Sequence, residues 1–97
     1  ANVPYVPTGE VGLLPPEARI HEPRAALDGG RDGLDVLRRV TAEAPGWLAS
    51  HGWLLIETSE NQAPLAADAF SRAGLIPHVA RSAELSATVV MGAMPPT

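Results

Sequence analysis

Gly52-Trp53-Leu54-Leu55-Ile56-Glu57-Thr58-Ser59-Glu60-Asn61-Gln62-Ala63-Pro64 is the stretch that decides the fold class. His51-Gly52 is a stop signal, and Trp53 to Ile56 then run apolar without alternation. A continuous apolar run bounded by turn signals predicts a strand buried on both faces. Glu57, Thr58 and Ser59 mark its polar C-terminal end. A helix is predicted next, with Asn61 as N-cap, because this puts Pro64 in the first turn, where a missing N–H costs nothing. Leu65, Ala66, Ala69, Phe70 and Ala73 form its apolar face, and Gly74 is the expected residue just past its end.

Toward the N-terminus, Leu34, Leu37, Val40, Ala44 and Leu48 recur at helical spacing. Asp32 is the expected N-cap of this helix, and Asp35 suits its positive first turn. Pro45-Gly46 ends or kinks it, leaving Trp47 to Ser50 as a last short turn. Leu27-Asp28-Gly29-Gly30-Arg31-Asp32-Gly33 is turn chemistry. Pro4, Pro7, Pro15, Pro16 and Pro23 make the opening segment irregular. Toward the C-terminus, Leu75–Arg81 and Ala87–Met94 read as two strands joined by a short polar link. That link is too short for a parallel crossover, so the two strands pair antiparallel. The order loop, helix, strand, helix, strand, strand argues for an α/β layer structure. No strand precedes the first loop, so the chain reads as one partial domain, 1–97. Residues 1–33 form a Pro/Gly-rich loop region and 34–97 the α/β part.

With 97 residues the chain has room for one modest core. Apolar residues make up 45% and charged residues 19%, which is globular rather than disordered. Net charge is −4 and the seven basic residues are scattered, so no basic stripe suggests DNA or RNA as a partner. The absence of cysteine excludes disulfides and thiolate metal sites. No apolar run approaches the ~20 residues of a membrane span, and the N-terminus does not read as a secretory signal. A cytoplasmic location without membrane contact is the default expectation.

Asn2-Val3-Pro4-Tyr5 opens the chain. Leu14-Pro15-Pro16-Glu17-Ala18-Arg19, then Glu22-Pro23-Arg24-Ala25-Ala26-Leu27-Asp28-Gly29-Gly30 and Asp32-Gly33-Leu34-Asp35 follow. After one helix come Gly52-Trp53-Leu54-Leu55-Ile56-Glu57 and Gln62. This string resembles the HemK/PrmC-type protein-glutamine methyltransferases. Their pattern is NPPY, E-P-x-x-A-L, a Gly-rich turn into G-L, and G-G-x-L-x-x-E with a downstream Gln. The four-residue motif alone is shared with adenine and other amino-group methyltransferases; the combination with Glu22-Pro23 and Ala26-Leu27 is specific to the glutamine group. The resemblance runs from Asn2 to about Met94. It implies the C-terminal part of a Rossmann-like methyltransferase sheet, with S-adenosyl-L-methionine as cofactor and peptide chain release factors as protein substrate.

In the implied site Asn2, Pro4 and Tyr5 are the catalytic set, and Asn2, Val3, Pro4, Tyr5 and Glu22 bind the substrate. An amide nitrogen is a poor nucleophile because its lone pair is delocalised. The family motif holds the acceptor amide with two acceptors, the Asn side-chain oxygen and a backbone carbonyl of the same loop. Asn2 matches the first of these, and is also the cofactor-binding position that the chain retains. Tyr5 packs beside the acceptor amide. Val3 stands where the family has its first Pro; it keeps the carbonyl but loses the rigidity of two consecutive prolines. Glu22 fixes loop geometry through backbone hydrogen bonds rather than acting as a base. The family's Gly-rich cofactor loop and ribose-binding acid precede the motif, and Gly29-Gly30 does not replace them.

Other residues carry weaker signals. His21, His51 and His78 lack metal-ligand spacing and read as loop or surface residues. Glu57 either faces the crevice or is a solvated strand-end carboxylate. Gln62 reads as a helix-start residue in preference to a crevice contact. Trp47 and Trp53 read as core or helix–sheet packing. Two rival functions stand beside the enzyme reading: a truncated non-catalytic assembly module, and an adenine amino-group methyltransferase, which the acidic charge and the E-P-x-x-A-L context oppose. A partial sheet with an unpaired edge is expected to form a homo-oligomer or to associate with the missing N-terminal half.

Overall fold

Turn chemistry sets up the first helix. The computed structural model describes residues 3–5, 7–9, 28–84 and 86–96. Asp28 Oδ1 accepts hydrogen bonds from the Gly30 N–H at 3.0 Å and from the Thr8 hydroxyl at 2.8 Å. Asp32 Oδ1 accepts from the Leu34 N–H at 3.0 Å. Helix α1 then runs over Asp35–Glu43. The expectation that Asp32 is its N-cap is corrected. The cap position is Leu34, which has no capping side chain, and Asp32 orders the turn before the helix while also binding Arg38 Nη2 at 2.6 Å. Proline lacks the N–H that an α-helix would use, and Ala44–Gly46 tightens into a 3₁₀ turn. The polypeptide then turns outward and leaves Trp47 77% exposed, which corrects its assignment to the core.

Strand β1 spans Trp53–Thr58, helix α2 Ala63–Arg72, strand β2 Ile76–Ser82 and strand β3 Ala87–Ala93. Among the described residues they form a three-stranded sheet in the order β1-β3-β2, with both pairs antiparallel. The two closing strands therefore pair as their short link requires. Register puts Ile56, Val90 and Val79 in one row and Leu55, Met91 and His78 in the next. This architecture is compatible with the C-terminal part of a Rossmann-like methyltransferase sheet.

Both helices contribute to a single core on one face of the sheet. Leu34, Leu37, Ile56, Ala63, Ala66, Phe70, Leu75 and Val90 are buried there, joined by Val3. Burying a side chain the size of Phe70 contributes about 1.5–3 kcal/mol relative to leaving it exposed. Phe70 lies directly over Gly92 of β3, where an added Cβ would collide with its ring. Gly92 thus lets α2 sit close to the sheet. Gly74 ends α2 with a φ of +90°, as expected of the residue past a helix C-terminus. The helix starts one residue later than foreseen, with Gln62 rather than Asn61 at the cap position and Pro64 in the first turn.

The opposite face of the sheet corrects a further expectation. β1 alternates in burial instead of being buried on both sides. Ile56 and Thr58 point into the core, while Trp53 is 49% and Leu55 46% exposed. An antiparallel sheet covered on one side gives this alternation, and the apolar character of both rows hid it in the sequence. Trp53 packs its ring against His78 across the outer face, with centroids 5.8 Å apart. Among the described residues no helix is long and apolar enough to cross a membrane.

Candidate functional site

The Val3-Pro4-Tyr5 segment lies near the C-terminal end of β1, held from two sides. Val3 is 8% exposed and packs into the core. Gly29 approaches so closely that an added Cβ would stand 2.7 Å from the Pro4 carbonyl oxygen. The carbonyl of Tyr5 accepts a hydrogen bond of 2.7 Å from Gln62 Nε2. Gln62 Nε2 also donates to the Asp32 carbonyl at 3.1 Å. Its Oε1 accepts from the Ser59 N–H at 3.0 Å.

Gln62 reaches this position through the local chemistry of Ser59-Glu60-Asn61-Gln62. The Gln62 N–H donates to Ser59 Oγ at 3.3 Å while the Ser59 N–H donates to the Gln62 side chain. This reciprocal pairing has the hydrogen-bond pattern of a capping box, here closing the turn that leads into α2: a Ser and a Gln three residues on satisfy each other's backbone donors. The box uses only the oxygen of the carboxamide. Its nitrogen is left with two N–H groups, and each finds a carbonyl on a distant segment. Gly33 completes the junction: its φ is +83°, and an added Cβ would occupy the place where Gln62 Nε2 and the Tyr5 carbonyl meet.

In front of this junction opens a cleft of about 540 Å³, lined among others by Tyr5, Glu57, Ser59, Glu60, Arg81 and Thr88. Partial burial raises the Tyr5 phenol above its ordinary range, and the Glu57 carboxylate adds to the shift. Tyr5 is therefore neutral at physiological pH, an O–H donor at the cleft wall. Across the cleft, Glu60 forms an ion pair with Arg81 Nε and accepts from the Thr88 hydroxyl at 3.0 Å. Arg81, and secondarily Thr88, hold the Glu60 carboxyl below the usual carboxylate range.

The sequence-derived candidates thus fall into two groups. Val3, Pro4, Tyr5 and Glu57 lie in or beside this site, and Glu57 takes the cleft-facing alternative. Asn2 and Glu22 lie outside the described residues, as do His21 and the Pro15-Pro16 and Glu22-to-Leu27 strings. Gln62 departs from its reading as merely a helix-start residue. It stands at the helix start, and its side chain is spent on the Tyr5 loop. The Glu60–Arg81–Thr88 group carries no motif that marks it in the sequence. The signal for Gln62 was the S-x-x-Q spacing, which marks a capping box. Nothing local in the sequence links Glu60 to Arg81, because they meet only when β2 pairs with β3 and the hairpin folds over the turn after β1.

The glycines of the 29–33 turn face the protein itself. Gly29 meets Pro4 and Gly33, and Gly33 meets Gln62 and Tyr5. A glycine turn filled by its own chain leaves no cradle for a ligand there.

The helices and the β1-β3-β2 sheet beside this cleft are compatible with the C-terminal part of a Rossmann-like methyltransferase fold. No family model matches the chain. It is 49% identical over 74 residues to a release factor glutamine methyltransferase of Geobacter sulfurreducens, covering 76% of this chain and 26% of the relative. It is 43% identical over 72 residues to a protein of the same name from Gloeobacter violaceus, covering 74% and 25%. A ribosomal protein uL3 glutamine methyltransferase of Burkholderia pseudomallei is 48% identical over 63 residues, covering 65% and 20%. The chain spans about a quarter of the length of the curated relatives it matches. Over that stretch it is a relative of the protein-glutamine methyltransferases.

Proposed function

We propose that the protein transfers a methyl group to the side-chain amide nitrogen of a glutamine in a protein substrate, with a peptide chain release factor as acceptor. The observation that carries this reading is the Val3-Pro4-Tyr5 loop, clamped at the end of β1 with Tyr5 at the mouth of a cleft. The resemblance of the motif string and the identity to enzymes named for glutamine methylation support the same acceptor. The methyl donor implied by the resemblance is S-adenosylmethionine. The glycine turn of residues 29–33 is filled from within and offers the donor no cradle.

What this chain contributes is acceptor orientation. In the proposed site Asn2 accepts one amide N–H of the substrate glutamine and a carbonyl of the Val3–Tyr5 loop accepts the other. With both N–H groups engaged, the nitrogen lone pair is turned toward the incoming methyl carbon. Orientation of this kind supplies up to roughly 7–11 kcal/mol of barrier reduction in ideal cases. Tyr5, neutral and partly buried, packs beside the acceptor amide and keeps water from it. Glu22 belongs to the same proposed substrate-binding set by holding the loop that follows.

The test is Asn2→Ala in a protein of the relatives' full length that carries this segment. Methyl transfer to a glutamine-bearing release-factor peptide is expected to fall by more than about 100-fold, while affinity for the methyl donor stays nearly intact. Unchanged transfer would show that the motif assignment is wrong. In parallel, an adenine-containing oligonucleotide should accept no methyl group.

A further inference from the structure

We infer that Gln62 is a positioning residue of this site: its carboxamide clamps the acceptor loop to the start of α2 and to the turn before α1. The inference rests on the reading of the Asn2–Tyr5 loop as the acceptor-binding loop. Gln62 is 8% exposed, and every hydrogen-bonding direction its side chain is seen to use is set by a partner of fixed sense. The oxygen meets an N–H and the nitrogen meets two carbonyls. The amide therefore has one orientation that satisfies all three.

The capping box explains why a Gln or Glu stands at this position, but it does not explain the choice between them. Glu would serve the Ser59 N–H equally well. Only Gln brings two donors on the other side, and those donors are aimed at Tyr5 and Asp32. The Tyr5 carbonyl belongs to the loop that ends three residues after Asn2. Fixing it fixes the direction from which that loop enters the cleft. Gly33 is shaped to the same purpose, because any side chain there would push Nε2 and the Tyr5 oxygen apart. The clamp joins residues 57 and 30 positions apart in the sequence, so it is tertiary rather than part of a local turn.

Two substitutions separate positioning from folding. Gln62→Glu keeps the length and the capping acceptor but presents a carboxylate to two carbonyl oxygens. Gln62→Met keeps the volume and removes the donors without adding charge. In a protein of the relatives' full length that carries this segment, each is expected to lower kcat for a glutamine-bearing peptide by roughly 10- to 100-fold, the scale of a small misplacement of a reacting group. The KM for the methyl donor should hold within about twofold, as expected when only an orienting interaction is lost. Gln62→Glu should recover part of its kcat as pH falls and the carboxyl regains one O–H donor; Gln62→Met should not.

The unsubstituted 97-residue chain offers a check that does not depend on either variant folding. By NMR, the Gln62 side-chain NH₂ protons should exchange with water at least about tenfold more slowly than a free glutamine amide, as buried hydrogen-bonded groups do. Exchange at the free rate overturns the clamp. A folded variant with the parent's kcat, while the parent is active, overturns the positioning role and leaves the functional reading standing. A parent inactive on every glutamine peptide overturns the functional reading, and the positioning role with it, even where slow exchange shows the clamp intact.

Discussion

At the scale of single residues, the site depends on a few atoms whose partners lie far away in sequence. The Gln62 carboxamide is buried with each seen direction satisfied, and leaving such a group without partners costs about 1–3 kcal/mol. Tyr5 is the only tyrosine in the chain, so its ionisation can be read without ambiguity. Burial first, and the Glu57 charge second, raise its pKa. A raised phenol pKa means that the folded state keeps its proton where the unfolded chain has lost it. The associated stability is complete below the ordinary phenol range and is lost as pH rises through the folded value. Phenolate absorbance of the folded chain should therefore appear at higher pH than that of the urea-unfolded chain. Glu57→Gln should bring the folded titration part of the way back, because burial remains. A folded chain that titrates like free tyrosine would mean that the loop does not rest against the cleft wall.

At the scale of elements, α2 holds the structure together through Phe70 over Gly92. Phe70→Ala should destabilise the fold by about 3–5 kcal/mol, read from the shift of a urea unfolding curve. A change below about 1 kcal/mol would mean that α2 is not seated on the sheet. The order of the elements was legible in the sequence, because turn signals at Gly52, Gly74 and Pro45 punctuate short segments of clear type. The antiparallel closure of β2 and β3 followed from the shortness of their link. The exposure of Trp53 and Leu55 was not legible, because an unbroken apolar run is the same string whether one face or both are covered. The role of Gln62 was half legible. The S-x-x-Q spacing marks a capping box, but the two carbonyls beyond it lie on segments whose proximity only the fold creates. Likewise Asp32 carries the chemistry of a cap, yet the polypeptide uses it two residues before the cap position and ties it to Arg38.

At the scale of the whole molecule, the sheet is covered by helices on one side, and the other side carries an apolar patch beside His78 and Glu57. Trp53, Leu55 and Ile76 are each about half exposed and lie in adjacent rows across β1 and β2, with Met91 and Ala93 between them. Contiguous apolar surface of this kind favours association. The 97-residue chain is therefore expected to self-associate at high concentration, and Trp53→Ser combined with Ile76→Ser should shift it toward a monomer in sedimentation velocity experiments. A parent chain that sediments as a monomer at millimolar concentration would show that this face stays wet without penalty.

The clamp at Gln62 also has a consequence for how the chain reaches its native state. Its attachment points are 57 and 30 residues apart, so making it closes two long loops, and loop closure costs free energy that grows with the logarithm of the separation. The β2–β3 hairpin and the helix turns close over far fewer residues and form first. The Tyr5 segment therefore docks late in folding. By the same token it detaches first on partial unfolding, with its own opening free energy below the global one. The loop on which acceptor orientation rests is thus expected to open more readily than the sheet and α2, at the cost of withdrawing Val3 from the core around Phe70.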